Sequence, residues 1–168
     1  MITRDQLLAS MKHETRVIKH LATKVPAGQL DWRPTPKQRS TVELMRYLTT
    51  CAIVPVTAMI GGNWDHAEPM EKAAESVTPE TFAAAMDAQF AAVEAAVRAV
   101  PERDFLEKAA EMPWGAPTVL GISLVDCGVK PLVAYRMQLF LYAKESGAAD
   151  LGPANCWVGV DAPKPPAA

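Results

Sequence analysis

Cysteine is scarce in this sequence. Only Cys51, Cys127 and Cys156 occur, and an odd number at such wide spacing argues against both a secreted disulfide framework and a zinc-finger pattern, so reduced thiols are expected. A net charge of −2 with no dense run of lysine and arginine leaves no electrostatic footprint for nucleic acid. No apolar run reads as long enough to span a bilayer, and the opening Met1-Ile2-Thr3-Arg4-Asp5-Gln6 lacks the apolar core of a signal peptide. The expected location is the cytoplasm, with neither membrane nor nucleic acid as partner. Also missing are a CxxC pair, HExxH, a phosphate loop, GxGxxG and a catalytic triad, which removes local support for nucleotide, redox and zinc-protease chemistry.

What is present is helical. The 168 residues, 49% of them hydrophobic, suit one domain with a core of ordinary size. Thr3 and Gln6 stand in capping-box spacing, and Leu7, Met11, Ile18, Leu21 and Val25 then share one stripe, predicting a helix over residues 5 to 25 that stops before Pro26. A second capping box, Ser40 with Glu43, starts a helix through Leu44, Leu48, Val54 and Met59, which the Gly61-Gly62-Asn63 breaker ends. Residues 63 to 77 have no sustained period and read as a long crossover with room for a short helical turn. Thr78 and Pro79 open a third helix with the stripe Phe82, Met86, Phe90, Val93, Val97 and Val100, closed by Pro101. Residues 105 to 118, with Pro113, Trp114, Gly115 and Pro117, predict a short hairpin or an irregular loop.

A fourth helix is expected over residues 119 to 144, apolar on several faces and ended by Gly147. Residues 151 to 168, rich in proline, predict an irregular tail that docks Trp157 on the bundle and frays over its last residues, so the domain is placed at residues 1 to 160 and a disordered end at 161 to 168. Four amphipathic helices with almost no strand signal give an all-α four-helix bundle with a long crossover between helices 2 and 3.

Several local runs also resemble a known family. Asp31-Trp32-Arg33-Pro34 through Ser40-Thr41-Val42-Glu43-Leu44-Met45-Arg46-Tyr47-Leu48 is similar to the entry into helix 2 of DinB-like proteins. Tyr135-Arg136-Met137-Gln138-Leu139 resembles that family's His-Arg-Gly-Gln-Leu stretch in helix 4, and Leu151-Gly152 with Cys156-Trp157-Val158-Gly159 resembles the end of some members. The similarity spans most of residues 4 to 160. It implies a DinB-like bundle, in a family that typically holds a divalent metal with one histidine on helix 2 and a His-x-x-x-His pair on helix 4. Those positions correspond here to Tyr47, Pro131 and Tyr135. Proline has no side-chain donor and a neutral phenol is a poor ligand, so the resemblance implies a member that has lost its metal-binding histidines, with no metal and no cofactor expected. His13 and His20, with Val17 and Lys24 on one face of helix 1, and His66 in the crossover are read as solvent-facing.

Two further patterns mark a candidate ligand pocket. Glu14 falls between Met11 and Ile18 and so points into the core, where it needs a partner; Tyr47, Tyr135 and Gln138 face inward and are candidates, while Arg136, adjacent to them, is read as outward-facing, with pairing to Glu14 or to an anionic ligand as the alternative. Pro55 follows Cys51 by four residues and Pro131 follows Cys127 by four, each removing an N–H from a helix interior at a cost of about 3 kcal/mol. With helices 2 and 4 antiparallel, both cysteines and their carbonyls, left without that partner, share one level. The expectation is a kinked, partly hydrated pocket lined by Glu14, Tyr47, Cys51, Cys127 and Tyr135, beside Pro131 and Gln138; a filled core in which the cysteines act as small hydrophobes stands beside it.

Three functions follow. A metal-free bundle binds a small molecule in the former metal cavity, or an enzyme akin to the thiol-dependent transferases and isomerases of DinB-like proteins uses Tyr47, Tyr135 or Glu14 as acid, base or donor, or a homodimer fills its cavity and serves structure. A metal-dependent hydrolase-like activity is the inherited reading that the replaced histidines disfavour.

Overall fold

A computed structural model describes residues 2–163. Helix α1, Arg4–Ala22, begins on the Thr3–Gln6 capping box and buries Leu7, Leu8, Met11, Val17, Ile18 and Leu21. It stops three residues short of the predicted end, where Thr23 Oγ1 donates to the His20 carbonyl at 2.7 Å. The second predicted helix is two: α2, Thr41–Leu48, on the Ser40–Glu43 capping box, and α3, Ile53–Gly61, ended by Gly62 at φ +76°. The crossover contains α4, Ala67–Ala74, and the third bundle helix is α5, Pro79–Ala99. A short α6, Glu102–Glu107, leads into an antiparallel hairpin of β1, Ala109–Glu111, and β2, Pro117–Val119. The fourth helix has three parts: α7, Leu120–Leu124, a π-helical turn over Val125–Val129, and α8, Lys130–Glu145.

The long segments form an all-α bundle. Helix α1 packs on α5 and α8, while α2 meets α8 and α3 meets α7, so the second and fourth bundle helices run antiparallel. Their stripes meet in a core that includes Leu44, Leu48, Phe82, Met86, Leu124 and Leu139. Burial of side chains of this size stabilises by roughly 1.5–3 kcal/mol each.

One stretch departs from the reading of the bare sequence. Thr41–Gly61 is long and apolar enough by composition to cross a bilayer, but most of it is buried inside the bundle and the stretch is broken between α2 and α3. Its hydrophobicity is that of a core segment.

The tail is also more ordered than its composition suggests. Ala154–Val158 makes one π-helical turn that buries Asn155 and Cys156. Trp157 stays 58% exposed, with one face resting over the Arg136 guanidinium, so its neighbours hold the tail more than this indole does. The segment lies across the face of α1 that carries His13, Val17, His20 and Lys24. His13 Nε2 is 2.9 Å from the Trp157 carbonyl, Asn155 Nδ2 is 3.1 Å from His20 Nε2, and Lys24 pairs with Asp161 at 2.7 Å. Gly159, at φ +68°, passes so close that an added Cβ would stand 3.1 Å from Val17 Cα. The first two histidines are therefore half-buried fasteners, not free surface groups, and Asp161 is anchored. The predicted fraying of the final residues falls on 164–168, outside the described residues. His66 is half-buried too, its Nε2 2.6 Å from Thr57 Oγ1 and 3.0 Å from the Val54 carbonyl.

Candidate ligand cleft

The site begins with two interruptions at one level of the bundle. In the second bundle helix the break covers Thr49 to Ala52, which places Pro55 in the first turn of α3, where its missing N–H costs least. A continuous helix would bond the Ala52 N–H to the Leu48 carbonyl. Instead the Gln89 amide of α5 is inserted between them: its Oε1 accepts from Ala52 N at 3.0 Å and Ile53 N at 3.3 Å, and its Nε2 donates to the Leu48 carbonyl at 2.9 Å. A buried side-chain amide thus substitutes for the missing backbone rung.

In the fourth helix Pro131 is the second residue of α8, and the ladder ahead of it widens to the π spacing, with Lys130 N donating to the Val125 carbonyl. Gly128 sits inside this turn. A Cβ there would come within 3.0 Å of Val56 Cγ2 and 3.1 Å of Met11 Cε, so glycine lets the widened turn lie against α3 and α1.

Between the interruptions lies a cleft of about 240 Å³. Tyr47, Cys51 and Pro55 line it from one side, and Cys127 and Pro131 from the other. Trp64, from the turn after α3, and Trp114, from the hairpin turn, stand at its mouth, 44% and 68% exposed. The wall is mainly apolar. Polar groups gather instead in a neighbouring basin of about 470 Å³ that holds Arg39, Glu43, Arg46 and Glu75 and shares Tyr47, Thr50 and Glu71 with the cleft.

Tyr135 meets Tyr47 edge to face, ring centroids 4.8 Å apart, and the Arg39 guanidinium lies 4.1 Å from the Tyr47 ring centroid. Burial raises the Tyr47 phenol, and the Tyr135 phenol adds to the shift. Burial likewise pushes the Cys51 thiol up to about 12, and its Sγ donates to the Leu48 carbonyl at 3.6 Å. The Cys127 thiol is raised by burial and by Asp126, against Lys130. At neutral pH the cleft presents neutral thiols and a neutral phenol.

Glu14 and Gln138 do not join them. Glu14 is buried as predicted, but its partner is Arg136, which is only 1% exposed and not outward-facing. Nη1 of Arg136 lies 3.3 Å from Oε1 and 3.2 Å from Oε2; only the Oε1 contact has hydrogen-bond geometry, which leaves Oε2 and the Arg136 Nε without partners among the described residues. Desolvation raises the Glu14 carboxyl, outweighing the opposing pull of Arg136. The tail roofs this pair, with Arg136 4.7 Å from the centroid of the Trp157 ring. Tyr135 and Arg136 are successive residues of α8 and so face different ways: Tyr135 backs the Tyr47 ring without itself lining the cleft, a correction to its predicted place on the wall, and Arg136 turns toward α1. Gln138 donates to the Tyr142 hydroxyl at 2.7 Å, which donates to the Arg39 carbonyl at 3.1 Å and so ties α8 to the entry of α2.

The donor set does not fit a divalent metal. The three positions that the resemblance assigns to histidine carry two phenols and a proline, and among the described residues no three His, Cys, Asp or Glu side chains converge as a metal site requires. Reading the sequence alone missed Gln89, Trp64, Trp114 and Asp126. Only Gln89 left a usable signal, since 82, 86, 89, 93 and 97 continue one helical stripe.

No family model matches the chain, and no curated protein is similar to it in sequence. Among solved structures, the crystal structure of a DinB-like protein, YjoA, from Bacillus subtilis shares the architecture with a TM-score of 0.66 at 17% identity, over 84% of this chain and 92% of that one. At that identity the likeness establishes the fold, which is DinB-like.

Proposed function

We propose that this DinB-like bundle is a metal-free small-molecule-binding protein of the cytoplasm, and that its ligand occupies the cleft between the two interrupted helices. The observation that carries the reading is the coincidence of the interruptions. Two bundle helices give up regular hydrogen bonding at one level, a buried glutamine repairs one break, and a cleft with two exposed indoles at its mouth lies between them. A bundle selected for packing alone gains nothing from these breaks, whereas preformed clefts between helices with aromatic walls are common ligand sites.

Binding is favoured over catalysis by the state of the side chains. A nucleophilic thiol needs a lowered pKa, and a general base needs one near the working pH. Cys51 is held near 12 and Tyr47 is raised, while Glu14 is paired away from the cleft. A thermal-shift screen with small metabolites and low-molecular-weight thiols, run beside metal analysis of the purified protein, tests the reading. A ligand at about a hundred times its Kd stabilises by roughly 2.7 kcal/mol, which raises Tm by about 5–10 °C for a chain of this size. A screen without such a compound, or a tightly bound stoichiometric ion, overturns the reading.

A further inference from the structure

We propose that the cleft selects a small organic cation, an ammonium head on a compact aromatic or aliphatic body. The inference rests on the cleft being a ligand site and adds the charge and chemical class of what it holds.

Charge is the first argument. The acidic side chains on the cleft wall are Glu71 and Asp126, and no Lys, Arg or His is among the described residues lining it. Asp126 is steadied from outside by Lys130, one helical turn further on, whose side chain is 67% exposed and absent from the wall. The arginines nearby belong to the adjoining basin, and Arg39 packs on the Tyr47 ring. An anion entering this region therefore finds its counter-charges in the basin, while the cleft offers it only carboxylates.

The aromatic groups are the second argument. Trp64 and Trp114 come from separate connections, yet both line this one cleft with large exposed surfaces. Indole has the strongest cation-binding face of the natural side chains, and indoles beside carboxylates attract an alkylammonium group more than a neutral body of equal size. Size completes the case: about 240 Å³ lies just below the range usual for drug-sized ligands and suits a compact amine.

The test uses the whole chain and three probes of similar shape: benzyltrimethylammonium, benzyl alcohol and phenylacetate, titrated calorimetrically at low ionic strength while tryptophan fluorescence is followed. The cation is expected to bind at least tenfold more tightly than either of the others and to change the fluorescence. The double variant Glu71→Gln, Asp126→Asn is expected to lose fivefold or more for the cation with benzyl alcohol unchanged. Trp114→Ala, at an exposed turn, is expected to weaken the cation as well and serves if the double variant does not fold. Equal or tighter binding of benzyl alcohol or phenylacetate overturns the inference and leaves the ligand-site reading standing. Failure of all three probes also overturns it, and the metabolite screen then decides the ligand-site reading separately.

Discussion

Replacing Gln89 by methionine tests how the bundle pays for its broken second helix. Methionine is close to glutamine in length and leaves the packing of α5 against the Leu48–Ile53 region nearly unchanged, but it removes the amide. Ala52 N then loses its acceptor at 3.0 Å, the Leu48 carbonyl loses its amide donor at 2.9 Å, and the weaker contact to Ile53 N at 3.3 Å also goes. An unsatisfied buried polar group costs about 1–3 kcal/mol, so two such losses predict about 2–6 kcal/mol, toward the lower end because the Cys51 thiol still donates weakly to the Leu48 carbonyl. The variant has one escape. If residues 49–52 wind into a regular helix, Ala52 N bonds Leu48 O directly and most of the loss is recovered, but the Pro55 ring then presses on the Cys51 carbonyl at about 3 kcal/mol. Either route costs well over 1 kcal/mol. Urea unfolding followed by far-ultraviolet circular dichroism measures this as a lower midpoint at constant slope. A loss below about 1 kcal/mol refutes the view that the Gln89 amide holds the break.

Three other outcomes follow from the same structure. Arg136→Met leaves the Glu14 carboxylate buried and alone, predicting a loss of about 3–5 kcal/mol at pH 8. Because the folded-state pKa of Glu14 is raised above its unfolded value, its stabilising contribution is full below the unfolded pKa and is lost as pH rises through the folded one; the gap between the variant and the parent chain therefore narrows toward pH 5, and a gap that is flat or widens on acidification contradicts the assignment. The three thiols, all buried and all raised by burial, are expected to react slowly with a disulfide reagent at pH 8 and rapidly in denaturant, so fast modification of Cys51 in the folded chain sinks the picture of neutral, shielded thiols. Gly159→Ala strains a positive φ and crowds Val17, predicting a loss of about 1 kcal/mol or more and greater mobility of Trp157 by fluorescence anisotropy; unchanged stability and anisotropy contradict a fastened tail.

The two helix-1 and helix-2 capping boxes, the four amphipathic segments and the glycine stops were legible in the sequence because each is a local rule with a local cause. The level of Cys51 and Cys127 was legible for the same reason, since proline acts on the carbonyl four residues before it. What the sequence hid were answers supplied from elsewhere in the chain. Gln89 reads as one more residue on α5 until α2 and α3 are seen to break against it. Arg136 reads as a surface charge until the tail covers it, and Trp114 belongs to the cleft only because the hairpin folds over toward α3. The helix 1 stripe placed Glu14 in the core but not its partner: its carboxylate faces Arg136 rather than the cleft, whose wall is mainly apolar.

The most direct measurement uses the four indole N–H signals, titrated with the compound that gives the largest thermal shift. Binding between the interrupted helices moves the signals of Trp64 and Trp114 together and leaves those of Trp32 and Trp157 in place. Shifts confined to Trp32 or Trp157 put the ligand elsewhere and contradict the account.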